Sequence, residues 1–162
     1  MRSPATRRFR HTVTMETSAP VTVVRRDGYQ FDIDFGLGTP GWISDEPPPL
    51  GQSAGPSPKH LLLAAVANCL CASLTFALSK FKQEPGRLSA TAHATVGRNA
   101  ANRLRIQHIQ VDLRLERPGA AYEHLDRILG QFEEFCTVSM SVREGIPIDV
   151  RVIDANGQVL KG

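Results

Sequence analysis

PKHLLLAAVANCLCASLTFALSKF, residues 58–81, decides how the rest of the chain is read. From Leu61 to Leu78 it carries no charge, and Ala and Leu, both strong helix formers, dominate it. Ser57 suits an N-cap and Pro58 the first helical position, while Lys80 and Lys82 sit where a helix C-terminus favours positive charge. A helix apolar on nearly every face has to be buried, either in a protein core or in a membrane. The uncharged run reaches the length of a membrane span. Asn68, Ser73 and Thr75 interrupt it, however, and the strands around it need an apolar partner. The expectation is therefore a core helix of a soluble protein, with no membrane partner.

Downstream, Gln83-Glu84-Pro85-Gly86 ends the helix. Leu88 to Val96 then alternates apolar or small with polar residues at strict period two, a strand. A turn over 97–102 leads to a second strand from Leu104. Its apolar parity slips from Leu104 and Ile106 to Ile109, Val111, Leu113 and Leu115, which predicts a β-bulge near Gln107-His108. With that bulge its apolar residues can cover the central helix throughout. After Pro118-Gly119, residues Tyr122, Leu125, Ile128, Leu129, Phe132 and Phe135 or Cys136 recur at helical spacing, an amphipathic helix. Cys136 to Arg143 either continues it or restarts as a second helix, and Ile146, Ile148, Val150 and Val152 form a last strand.

Upstream, residues 36–57 read as a long Gly/Pro/Ser-rich loop containing Trp42, Asp45-Glu46 and Pro47-Pro48-Pro49. Loops of that length in a compact domain tend to be functional or disordered, and Trp42 needs burial somewhere. Before the loop, Val21–Arg26 and Tyr29–Phe35 flank the turn residues Asp27-Gly28 as a β-hairpin, its second arm alternating cleanly. The order ββ, loop, α, ββ, α(α), β predicts an α+β fold with antiparallel sheets wrapped around a long buried helix.

The 162 residues suit one domain, over 12–162, preceded by a basic disordered tail at 1–11 holding Arg2, Arg7, Arg8 and Arg10. These arginines exceed the formal net charge of +3, so the remainder is near neutral, and no basic patch interleaved with aromatics speaks for nucleic acid. The N-terminus lacks the apolar segment of a secretory signal, and three cysteines do not make a disulfide scaffold. A reducing cytoplasmic setting is expected.

Cys69 and Cys71 lie about 200° apart around a helix and cannot share a metal or a disulfide there. No cysteine or histidine cluster supports zinc, and His60, His93, His108 and His124 read as solvated or satisfied side chains. Taken singly, each cysteine reads first as a small buried hydrophobe. Cys136 widens the choice, because it can open a helical segment whose N-terminus stabilises a thiolate. Two thiols on adjacent packed helices can work as a peroxidatic and resolving pair.

With these residues in place the chain resembles the OsmC/Ohr family, named for osmotic induction and organic hydroperoxide resistance. The resemblance rests on Gly55-Pro56-Ser57-Pro58 with the helix leading to Cys69, on Cys136-Thr137-Val138-Ser139, where members typically read Cys-Pro-Val-Ser, and on Gly145-Ile146-Pro147-Ile148. It spans roughly residues 20–153. It implies an intertwined homodimer with both long helices at its centre, six-stranded sheets drawing on both chains, and active sites at the interface. It further implies a thiol-dependent peroxidase of oxidative-stress defence that reduces organic hydroperoxides. In that reading Cys69 is peroxidatic, Cys136 resolving, and Cys71 a core residue. Arg26 of Arg26-Asp27-Gly28 holds the thiolate, with Arg25 as the competing candidate. No metal or organic cofactor is implied, only a thiol reductant such as a dithiol or a lipoylated protein. One position departs from the pattern: family peroxidases carry a Glu in the helix's first turn, and this chain has Lys59-His60. Asp45 or Glu46 could stand in for that acid. The alternative reading is a dimeric scaffold of the same fold, without peroxidase activity, that binds a small apolar ligand in the cleft between subunits.

Overall fold

The computed structural model describes residues 17–162, so the expected tail at 1–11 lies outside the described residues. The chain divides after Gly55 into two compact units.

The first unit is a three-stranded antiparallel sheet in the order β1 (Thr22–Asp27), β2 (Gln30–Asp34), β3 (Trp42–Ser44). Gly28 turns the hairpin with φ +48°, a conformation in which a Cβ is costly, and its N–H is held by Asp27 Oδ1 at 2.8 Å. β3 forms within the stretch that the sequence predicts as loop. Trp42 stays half exposed (51%) and packs edge-to-face on Phe35, with ring centroids 5.2 Å apart. Its expected burial is therefore not met within this unit. The segment after β3 is held by Asp45, which is 1% exposed. Its Oδ2 accepts hydrogen bonds from the backbone N–H of Gln52 (2.9 Å) and Ala54 (3.0 Å) and from Gln30 Nε2 (3.5 Å). The Ala54 N–H foremost, joined by that of Gln52, holds the carboxyl below its ordinary pKa against the opposing effect of burial. Gly55 passes so close to β3 that a Cβ there would collide with the Ile43 carbonyl.

The second unit opens on α1 (Pro58–Lys80), the helix expected from its sequence. Ser57 is its N-cap, and the His60 ring returns the favour of a capping box: Nδ1 accepts the Ser57 N–H at 3.2 Å and lies 3.0 Å from Ser57 Oγ. The sheet follows in the order β4 (Ser89–Arg98), β5 (Leu104–Arg114), β6 (Ile148–Ile153), β7 (Val159–Lys161). On β4, Ala90, Ala92 and Ala94 pack against the core while Ser89, Thr91, His93 and Thr95 face out. Small side chains on that face allow close approach by α1. The bulge is where parity required it: Thr95 pairs with His108 and Val96 with Ile106, leaving Gln107 as the extra residue. Before the bulge Ile106 still packs on the core, but coverage stops short of Leu104, which is 60% exposed. Pairing is antiparallel except between β5 and β6, where a long crossover brings the chain back parallel.

That crossover is where the sequence expectation is most revised. A 3-10 turn over Gly119–Ala121 precedes the amphipathic repeat, which is broken into α2 (Leu125–Gln131) and a second 3-10 turn over Phe132–Phe135, and α3 (Thr137–Arg143) is the restarted second helix that the sequence left open. His124 enters α2 from the left-handed region (φ +57°), and Cys136 leaves the helical region (φ −87°, ψ 95°) before α3 restarts. Of the two residues left open by the periodicity, Cys136 is fully buried and Phe135 is 41% exposed.

The core joins Val66, Leu70, Leu74 and Leu78 of α1 to Ile109, Val111 and Leu113 of β5, to Ile128 and Phe132, and to Val150 and Val152 of β6. By length and composition α1 could cross a membrane; in this fold its Val66, Leu70, Ser73, Leu74, Ala77 and Leu78 are buried in protein. The opposite face, with Ala64, Ala65, Asn68, Ala72 and Phe76, is exposed.

Asp112 on β5 faces Arg151 on β6 in a two-point pair, Arg151 Nε to Oδ1 at 2.8 Å and Nη2 to Oδ2. The guanidinium lowers the Asp112 carboxyl to about 2, below the ~3.9 of an unfolded Asp. A lowered folded value means the stabilisation is complete above the unfolded pKa and is lost as pH falls through about 2. Because Arg151 is 43% exposed, solvent screens the pair, and Asp112→Asn is expected to cost about 1 kcal/mol at pH 7. Urea midpoints of the two proteins should draw together as pH drops from 5 toward 2. A gap independent of pH would contradict this assignment.

Candidate functional site

The structure brings Cys69 and Cys136 together. Cys69 lies at the centre of α1, and Cys136 is the N-cap of α3, which packs on that helix. Both sulfurs meet the same turn at the start of α3, and all three cysteines are free. The first turn of α3 donates to both sulfurs: the Val138 N–H reaches Cys69 Sγ at 3.5 Å, and the Ser139 N–H reaches Cys136 Sγ at 3.4 Å. The break at Cys136 makes this possible, because a continuous helix would have committed those N–H groups to carbonyls one turn earlier.

Burial is the main influence on the Cys69 thiol and pushes its pKa up; the neighbouring Cys136 thiol adds to the rise. The Val138 and Ser139 N–H groups act the other way, favouring the thiolate. Cys69 opens onto an apolar groove of about 370 Å³ lined also by Ala72, Ser73, Phe76 and Phe135. Phe76 and Phe135 meet edge-to-face at 5.4 Å between centroids, and Lys80 Nζ lies 4.8 Å from the Phe135 centroid and 5.2 Å from that of Phe76. The arrangement can present a sulfur to a small apolar molecule with a second sulfur already in contact.

Cys71 is half-buried in the core, and burial raises its pKa. Arg26 is in the first unit. It is the residue skipped by the β1–β2 register, and its Nε lies 3.5 Å from Asp32 Oδ2, with both side chains substantially exposed. The competing Arg25 bonds the Gly28 carbonyl through Nε at 3.1 Å. Asp45 binds the backbone of its own loop, so the carboxylate offered as a substitute for the helix acid has a structural task. The first turn of α1 holds no acid, and His60 there serves the cap. His108 lies 2.8 Å from Asp149, and His124 packs on Phe81. Among the described residues no group of three or more His, Cys, Asp or Glu could hold a metal. Sequence reasoning missed Ser139 as a neighbour of both thiols; its place three residues after Cys136, at N3 of the helix that Cys136 caps, is the signal that could have found it.

Fold and site together define a class: α+β proteins in which a long apolar helix carries one cysteine and a later helix opens on a second. The chain belongs to the OsmC-like protein family, whose sequence profile matches residues 51–151. Among solved structures it is similar to an OsmC-like protein of Mycoplasma pneumoniae (TM-score 0.73, 14% identity, covering 86% of this chain and 99% of that one). It is also similar to the organic hydroperoxide resistance protein OhrB of Bacillus subtilis (0.65, 17%, 84% and 98%) and to an organic hydroperoxide resistance protein of Elizabethkingia anophelis (0.64, 17%, 85% and 98%). At these identities the likeness establishes the fold. A search of curated protein sequences gives no match.

Proposed function

We propose that this protein is a thiol-dependent peroxidase that reduces organic hydroperoxides in oxidative-stress defence, acting as a homodimer in the cytoplasm with its residues from 12 onward as one domain. The observation that carries the reading is the meeting of the Cys69 and Cys136 sulfurs at the first turn of α3, with Cys69 opening onto an apolar groove. Family membership and the hydroperoxide-resistance proteins among the structural relatives support it. The Cys69 thiolate attacks the terminal oxygen of ROOH. The O–O bond breaks, ROH leaves after protonation, and Cys69 becomes a sulfenic acid. The Cys136 sulfur attacks the Cys69 sulfur, water leaves, and a disulfide forms. An external dithiol, free or on a lipoylated protein, reduces that disulfide and restores both thiols. Arg26 enters this proposal as a cation that favours the thiolate, on the strength of the Arg-Asp-Gly motif.

Titration of the reduced protein with cumene hydroperoxide, followed by counting free thiols, tests the reading. Two thiols per chain should disappear, and excess dithiol should bring them back. Thiols unchanged at moderate excess would overturn it in favour of the ligand-binding scaffold.

A further inference from the structure

The Ser139 side chain is fully buried, and its Oγ has no hydrogen-bond partner among the described residues. A buried hydroxyl without a partner destabilises a fold, and Ala at this position would remove that cost. A helical serine can usually satisfy itself on a carbonyl one turn back, and Ser139 does not do so. Its position explains where the hydroxyl can act. Ser139 is N3 of α3, directly after the cap at Cys136, and side chains in a helix tilt toward the N-terminus. That direction leads to the turn where the two sulfurs meet. Its own N–H already donates to Cys136 Sγ and also favours the charged form of Cys69.

A neutral thiol is a weak acceptor and a thiolate a strong one. A donor left unpaired on the turn that both thiols meet is therefore matched to the ionised state of the site. We propose that Ser139 is a positioning residue for the Cys69 thiolate: its buried hydroxyl, unpartnered while both cysteines are protonated, turns to donate a hydrogen bond to the Cys69 sulfur once that thiol loses its proton. The inference rests on the reading of Cys69 as the nucleophile. The titratable group in contact with Cys69 is Cys136. Of the charged residues on the elements packed there, Lys80 lies over Phe76 and Phe135, and Glu133 is paired with Arg143 and Lys161.

The test is the pH profile of iodoacetamide alkylation at each cysteine of the reduced full-length chain, resolved by peptide mass spectrometry, for the wild type and Ser139→Ala. Loss of one donor to a thiolate should move the Cys69 profile about one pH unit upward, so that alkylation at pH 7 falls about tenfold. Cys71, half-buried on the same helix, serves as the internal control and should keep its profile. Superimposable Cys69 profiles would overturn the inference. So would an equal change at both cysteines, which is what a general loosening of the helix produces. Failure of the peroxidase reading shows separately, as wild-type protein that does not consume cumene hydroperoxide.

Discussion

Cys69→Ser is expected to lower hydroperoxide turnover by about 10³-fold or more, the scale on which removing a nucleophile acts, and to leave thiols unconsumed when peroxide is added. A serine hydroxyl is not ionised at neutral pH and cannot attack the O–O bond as a thiolate does. The surroundings of Cys69 sharpen the expectation. Burial raises its pKa, so the wild-type rate should climb with pH as the thiol ionises. The partner cysteine has a different signature. Cys136→Ser should still react once, losing the Cys69 thiol to a sulfenic acid that dimedone captures. It should then stall or proceed to the sulfinic acid, because no second sulfur condenses with it. Rates by peroxide consumption and products by intact mass separate the two variants. A Cys69→Ser protein with the wild-type rate would end the peroxidase proposal. A Cys136→Ser protein cycling as fast as wild type would remove Cys136 from the resolving role.

Parts of this site are legible in the sequence because their signals are local. Ser57, Pro58 and Pro85 bracket α1 through backbone chemistry that needs no tertiary partner. The parity slip between Ile106 and Ile109 revealed the bulge, since one residue of offset exchanges the two faces of a strand. The contact between Cys69 and Cys136 is tertiary. Periodicity left Phe135 and Cys136 open, and the break after the 3-10 turn decides for Cys136. Asp45 was unreadable for a similar reason: its bonds to Gln52 and Ala54 depend on how the proline-rich loop folds back. β7 had a signal that went unused. Asn156-Gly157 is a hairpin dipeptide between the apolar run of β6 and Val159-Leu160, and Gly157 has φ +81°. The parallel return of β6 depends on where the crossover carries the chain, which no local pattern encodes.

Ala65→Arg is expected to turn the proposed dimer into a monomer at micromolar concentration. A helix this apolar was expected to be buried all round, and the single chain buries one face of it. The other face shows a stripe of mostly small residues, Ala64, Ala65, Asn68 and Ala72, ending at Phe76, which is 50% exposed. Small side chains let two helices approach closely and gain dispersion contacts along their length. A second copy offering the same stripe would cover it under two-fold symmetry. An arginine at the centre of such a contact meets its own symmetry mate, and each must also lose water. That combination costs several kcal/mol, and about 3 kcal/mol already weakens a dimer more than 100-fold. On the exposed surface of an isolated chain the same substitution would cost almost nothing, because Arg is a good helix former. Sedimentation velocity on both proteins distinguishes the cases. If the wild type sediments as a monomer, or if Ala65→Arg sediments as a dimer, this face is not the interface. If the variant is a folded monomer with hydroperoxide turnover greatly reduced but its thiols intact, the dimer is needed for catalysis as well as for covering α1. That result would also explain why so apolar a helix carries its cysteine near the middle, where a partner can close over it.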